Sequence, residues 1–130
     1  MATPPKTAVP EPRQRWLNEQ VEAWLTARLR PGLALQAEAA RKAGFNYVVN
    51  LYTEWRGKHF YLCARYCNPR PGASESHFEV RTTRLEHTGS GRFNLAYLRH
   101  TEKWCTVYRN LSAEESLETM QREELFWPVN

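Results

Sequence analysis

Between Phe45 and Arg109 the apolar positions recur at every second residue, the period of a pleated strand with one buried face. Phe45, Tyr47, Val49, Leu51 and Trp55 share one parity, and Asn46, Asn50 and Glu54 share the other. Arg56-Gly57 reads as a tight reversal, because glycine accepts the positive φ that hairpin turns demand. The return strand, His59 to Cys67, sets Phe60, Leu62, Ala64 and Tyr66 on one side. Asn68-Pro69-Arg70-Pro71-Gly72 breaks the pattern, since proline has no N–H for a ladder. A third strand, His77 to His87, carries Phe78, Val80 and Thr82 on one parity and Leu85 on the other, which predicts a bulge near Arg84. Gly89-Ser90-Gly91 turns the chain once more. Arg92 to His100 then pairs with Trp104 to Arg109 across Thr101-Glu102-Lys103, completing a five-stranded antiparallel meander.

The flanks follow the helical period. Leu17, Val21, Trp24 and Leu25, with Trp16 and Leu29, form one stripe of an amphipathic helix over residues 13–30, which Pro31-Gly32 is expected to end. Alanine-rich sequence from Leu33 to about residue 43 predicts a second short helix, capped by Gly44 in the left-handed conformation. After the meander, Ser112-Ala113-Glu114-Glu115 is a capping box that opens a helix over residues 112–124, with Leu117 and Met120 facing the sheet. Leu125-Phe126-Trp127-Pro128 is expected to fold back onto the core, the alternative being insertion into a neighbouring subunit. Residues 1–12 hold Pro4, Pro5, Pro10 and Pro12 and little apolar surface, so they read as a flexible arm. The expectation is an α+β architecture in a single domain over residues 13–130, with the sheet at 45–109 between one or two N-terminal helices and a C-terminal helix packed on one face.

Composition narrows the function classes. No apolar run approaches the ~20 residues of a membrane span, and the N-terminus has no secretory h-region, so a cytoplasmic protein with no membrane partner is expected. Three cysteines without framework spacing agree with a reducing compartment. The chain contains no Asp and no Ile, and Arg far exceeds Lys. A GC-rich coding sequence explains that bias; so does a need for guanidinium groups against phosphate or carboxylate. Charge is uneven: residues 1–44 carry +3, residues 45–110 carry +5 and residues 111–130 carry −4. The meander is the basic part, which points to an acidic partner there or to attraction between sheet and last helix.

Catalytic and metal motifs are weak. His59, Cys63 and Cys67 are spaced four apart, which on a strand separates them by roughly 13 Å, too far to converge on a zinc ion. Four histidines lack any Asp to orient them, and no G-x-S-x-G occurs. The Gly-rich Thr88–Arg92 stretch joins two strands, whereas phosphate loops lead into a helix. No cofactor, no metal and no catalytic residue is expected.

The face opposite Leu51 shows Tyr52 on the first strand and Tyr61 and Arg65 on the second, with Arg81 and Arg99 as companions. Aromatic platforms flanked by cations are how sheets hold single-stranded nucleic acid. The element order of residues 45–124, a basic meander followed by one helix, resembles the layout of Whirly proteins and PUR repeats, which bind single-stranded nucleic acid. The resemblance is one of layout; no residue motif of either family is present, and the helical sequence before the meander departs from both. The leading expectation is low-specificity nucleic-acid binding through Tyr52, Tyr61, Arg65, Arg81 and Arg99. Apolar residues on the second parity (Val48, Ala96, Leu98) support an alternative, a protein-interaction module or homodimer. A third reading is a small-ligand pocket between sheet and helices.

Overall fold

A computed structural model of the chain describes residues 8–73 and 76–128. Helix α1 (Glu11–Trp24) and α2 (Leu33–Ala43) precede strands β1 (Tyr47–Arg56), β2 (His59–Cys67), β3 (His77–Gly89), β4 (Arg92–Leu98) and β5 (Trp104–Ser112), and α3 (Ala113–Arg122) follows. The strands form one antiparallel sheet in sequence order, the expected α+β arrangement. Both two-residue hairpins use positive φ where glycine was anticipated: Gly57 at 56°, and Ser90 and Gly91 at 53° and 70°.

Cross-strand rows show why one side is buried. Trp55, Phe60, Leu85, Leu95 and Tyr108 lie abreast across all five strands, and Thr53, Leu62, Thr83, Tyr97 and Cys105 form the next row. Against them pack Leu17, Val21, Trp24, Leu25 and Leu29 from the first helical run and Leu117 and Met120 from α3. The C-terminal tip closes the remaining gap. Phe126 is fully buried against Tyr97 and Tyr108, and the Thr83 hydroxyl donates to its carbonyl. Trp127 meets Trp24 edge-on. The tip therefore folds back onto its own core.

The strand pattern departs from strict alternation at bulges. The expected common parity of Phe45, Tyr47, Val49 and Leu51 is not kept, because Val49 is an extra residue between the Val48–Tyr66 and Asn50–Arg65 pairs. The bulge turns Val48 and Leu51 towards the helices and leaves Val49 42% and Phe45 63% exposed. On β3 the bulge sits at Thr82 rather than near Arg84: Leu62 opposes Thr83 while Cys63 opposes Arg81. The Thr82 hydroxyl donates to the Leu62 carbonyl across the irregularity. Strand β5 runs three residues past Arg109 and carries two irregularities of its own, at Val107 and around Asn110, whose φ is 60°.

The N-terminal helical run also differs in detail. Residues 1–7 of the expected arm lie outside the described residues, but Val9 is only 5% exposed in the core, and α1 begins at Glu11. Pro31 does not end the helical path. Its ring clashes with a carbonyl one turn back, and the chain widens into a π-type turn over Leu25–Leu29, with the Arg30 N–H reaching the Leu25 carbonyl. A short 3-10 turn over Arg30–Gly32 then redirects it into α2, which ends at Gly44 with φ 76° as expected. The Arg30 side chain uses this corner: it grips both Glu22 oxygens at 2.7 and 3.0 Å and donates to the Leu51 carbonyl at 2.8 Å. The capping box at Ser112 is complete, with Glu115 reaching back, and Arg13 ties α1 to α3 through Glu114 at 2.6 Å. No helix among the described residues is long and apolar enough to cross a membrane.

Truncating Leu85, fully buried at the centre of the row, is expected to cost about 2–5 kcal/mol in urea unfolding. Ser112→Ala should cost about 1 kcal/mol through the lost cap, whereas Leu35→Ala, at a side chain 74% exposed, should stay within about 0.5 kcal/mol.

Candidate functional site

The sheet's second face carries no helix. Alternation places on it the row Glu54, Tyr61, Arg84, Ala96 and Thr106, flanked by Arg56, His59, Glu86 and Asn94 on one side and by Tyr52, Cys63 and Arg81 on the other. Arg65 and Glu79 are paired beyond them, and Leu98 opposes Trp104 at the end of β4. Four of the five residues expected to form a site, Tyr52, Tyr61, Arg65 and Arg81, thus share this face. Arg99 does not belong to a strand; it is exposed at the start of the β4–β5 connection, where its backbone closes the turn with Lys103.

Their surroundings differ from the expectation of stacking rings with free cations beside them. Tyr61 is only 8% exposed, because the Arg81 guanidinium covers its ring at 4.6 Å and Trp104 and His59 pack beside it. The ring is a floor for Arg81 and leaves no room for a base. Arg81 is engaged a second time by Glu54, at 3.2 Å, and Arg56 holds the same carboxylate at 2.7 Å. Arg84 lies over the Trp104 ring at 4.8 Å, with its Nε buried and lacking an acceptor among the described residues. Only Arg65 and Arg99, of the expected cations, are exposed with no acidic partner among the described residues.

Around Glu54 and Glu86 the charge on this face is balanced locally. The hydrogen bonds from Arg56 and Arg81 hold the Glu54 carboxyl below the usual carboxylate range. Burial alone would raise Glu86, but the contacts with Lys58 and His59 outweigh it and keep it low. Burial and the nearby Arg84 push His59 below its ordinary value, so at neutral pH its contact with Glu86 is a hydrogen bond from a neutral ring. Burial, then Coulombic repulsion from Cys63 and Glu79 on ionisation, raises the Tyr52 phenol to about 12, and Tyr52 bonds to Glu79. The Cys63 thiol is pushed up to about 12, chiefly by burial.

A cavity of about 530 Å³ opens on this face, lined by Tyr52, Glu54, Arg56, Glu79, Val80, Arg81, Leu98, Glu102 and Trp104. Its origin is the Thr82 bulge. The β3–β4 ladder begins at Thr83–Tyr97, so Val80 and Arg81 part from the end of β4 and leave a gap. Trp104, Arg84, Glu54 and Glu79 were not singled out from sequence. Pairing Trp104 with Leu98, opposite in parity to Tyr97, carried the signal for the first of them.

Elsewhere the polar groups serve structure. His87 is buried, and its Nε2 accepts the Gly91 N–H at 3.1 Å, fastening the β3–β4 turn. No grouping of three or more metal-ligating side chains is present among the described residues. The space beneath the sheet is filled by Phe60, Phe93, Phe126, Leu17 and Leu95.

Residues 9–128 match the family described as "Domain of unknown function (DUF3024)". No curated protein and no solved structure matches the chain.

Glu54 ties this face to pH. A carboxylate with a depressed folded value contributes stability that is complete above its unfolded value and is lost as pH falls through the folded one. Glu54→Gln should therefore flatten the acid limb of a stability–pH curve, and the Glu54 carboxyl should titrate below the other, unpaired glutamates by NMR. Cys63, at about 12 and fully buried, should resist alkylation at pH 8 in the folded chain and react once urea unfolds it.

Proposed function

We propose that this chain, which belongs to the DUF3024 family, is a non-enzymatic module that binds a polypeptide partner on the open face of its sheet. The composition of that face supports the reading. Tyr52, Trp104, Leu98 and Arg56, Arg65, Arg81 and Arg84 lie together with no element over them, and aromatic and arginine side chains are those enriched at protein contacts. Glu54, Glu79 and Glu86 stand among these four arginines and weaken the field that a phosphate backbone needs.

The sheet edges offer less. Bulges at Val49 on β1 and at Val107 and Asn110 on β5 break the flat row of donors and acceptors that strand addition requires, and Arg30 occupies the Leu51 carbonyl. Contact on the face, rather than along the outer edges at β1 and β5, is the route open to a second copy or to another protein. A cytoplasmic location belongs to the same reading, supported by Cys63, Cys67 and Cys105 forming no disulfide.

Single-stranded nucleic acid is a second reading, favoured by Arg65 and Arg99, whose guanidinium groups are exposed and carry no acidic partner among the described residues. It requires affinity that falls with salt, with a slope of about −0.7 per phosphate neutralised.

Photo-crosslinking separates the two. A photoactivatable residue at Tyr52 or Leu98 should yield a protein adduct, or a covalent dimer in the purified chain, while the same group at Glu118 on the exposed side of α3 should not. Equal adducts at all three positions, or none, would remove the protein reading. Fluorescence anisotropy with a single-stranded oligonucleotide at low salt tests the other; binding that weakens in Arg65→Ala and Arg99→Ala would put nucleic acid first.

A further inference from the structure

We infer that the cavity between β3 and β4 receives a guanidinium or ammonium side chain from that partner, making the open face selective for polypeptides with a basic residue; the inference rests on the protein-binding reading above. The cavity lining contains two cations, Arg56 and Arg81, and three carboxylates, Glu54, Glu79 and Glu102. Glu54 neutralises both arginines at 2.7 and 3.2 Å. Glu79 and Glu102 are exposed and form no ion pair among the described residues, Arg65 standing opposite Glu79 on the ladder, so the lining as a whole carries one net negative charge.

The walls suit the same guest. Trp104 and Tyr52 line the space, and aromatic faces attract cations by about 0.5–2 kcal/mol depending on exposure. This sheet already stacks guanidinium groups on its own rings: Arg81 over Tyr61 and Arg84 over Trp104. Leu98 and Val80 provide apolar surface for the methylene stem of Arg or Lys. An anionic guest in the cavity would meet Glu79 and Glu102 directly and would have to displace Glu54 to reach Arg56 or Arg81.

A polypeptide, rather than a free small cation, follows from the strand geometry beside the cavity. Residues 77–82 of β3 pair with β2 on one side, but the β3–β4 ladder starts only at Thr83, so the side facing β4 has no strand partner there. An extended backbone can lie along it and deliver a side chain into the adjacent cavity, joining ladder bonds to side-chain selection.

The test is a display selection of random peptides against the immobilised full chain, followed by titration of the enriched peptides into ¹⁵N-labelled protein. Enriched sequences are expected to contain Arg or Lys, and to shift the Trp104 indole N–H and the amides of residues 77–82. Replacing the basic residue by Gln, or introducing Glu79→Gln with Glu102→Gln, should weaken them about tenfold, the scale of two exposed charge contacts. Retained stability of the double variant in urea would show that its fold is intact. Peptides that bind the face and are lost on Trp104→Ala, yet need no basic residue and ignore the double variant, would overturn this inference and leave the protein-binding reading standing. Absence of any enriched peptide dependent on Trp104 would overturn both.

Discussion

Sealing one side of a single pleated layer is the constraint on which the rest of this structure rests. The row from Trp55 through Phe60, Leu85 and Leu95 to Tyr108 must be removed from water, and burying side chains of this size is worth roughly 1.5–3 kcal/mol each. A helix is only about 10–12 Å across, so neither α1 nor α3 covers the layer alone. The lid is assembled from three pieces, with Phe126 inserted between them and pinned through its carbonyl to Thr83. With every helix in that lid, the side chains of the other face are covered only by one another, as Tyr61 is by Arg81.

That second face solves a different problem. Arginines in a sheet surface need compensation, and here it comes from carboxylates two strands or one turn away. Glu54 is the clearest case, holding Arg56 along its own strand and Arg81 across the sheet. Guanidinium–ring contacts also set Arg81 over Tyr61 and Arg84 over Trp104. The outcome is a preorganised mosaic of rings, cations and acids, a surface that loses little side-chain entropy on contact. The cavity beside Glu54 forms where a single extra residue, Thr82, separates two strands.

The candidate site was partly legible in the residues. Parity placed Tyr52, Tyr61, Arg65 and Arg81 on one face because a strand has only two faces to offer. It did not show that Tyr61 lies under Arg81, nor that Glu54 neutralises two arginines, since both depend on which residues stand opposite across the ladder. Arg99 was misplaced for two reasons: it has the parity of Tyr97, which faces the helices, and β4 ends at Leu98, two residues before the expected His100. The bulges at Val49 and Thr82 shifted the register without any glycine to announce them.

The chain's own order of residues determined the elements: five strands from period-two alternation, hairpins from Gly57 and Gly91, the α3 start from Ser112 and Glu115, the α2 stop from Gly44. Those are local signals, written in side-chain periodicity and in the φ that glycine alone adopts freely. Tertiary structure decided the helical bend at Pro31, the burial of Val9, the return of Phe126 and the neutralisation of Arg56 and Arg81 by Glu54. Apart from the Arg56–Glu54 pair, each of these depends on partners far apart in sequence, whose meeting is set by packing rather than by neighbouring residues.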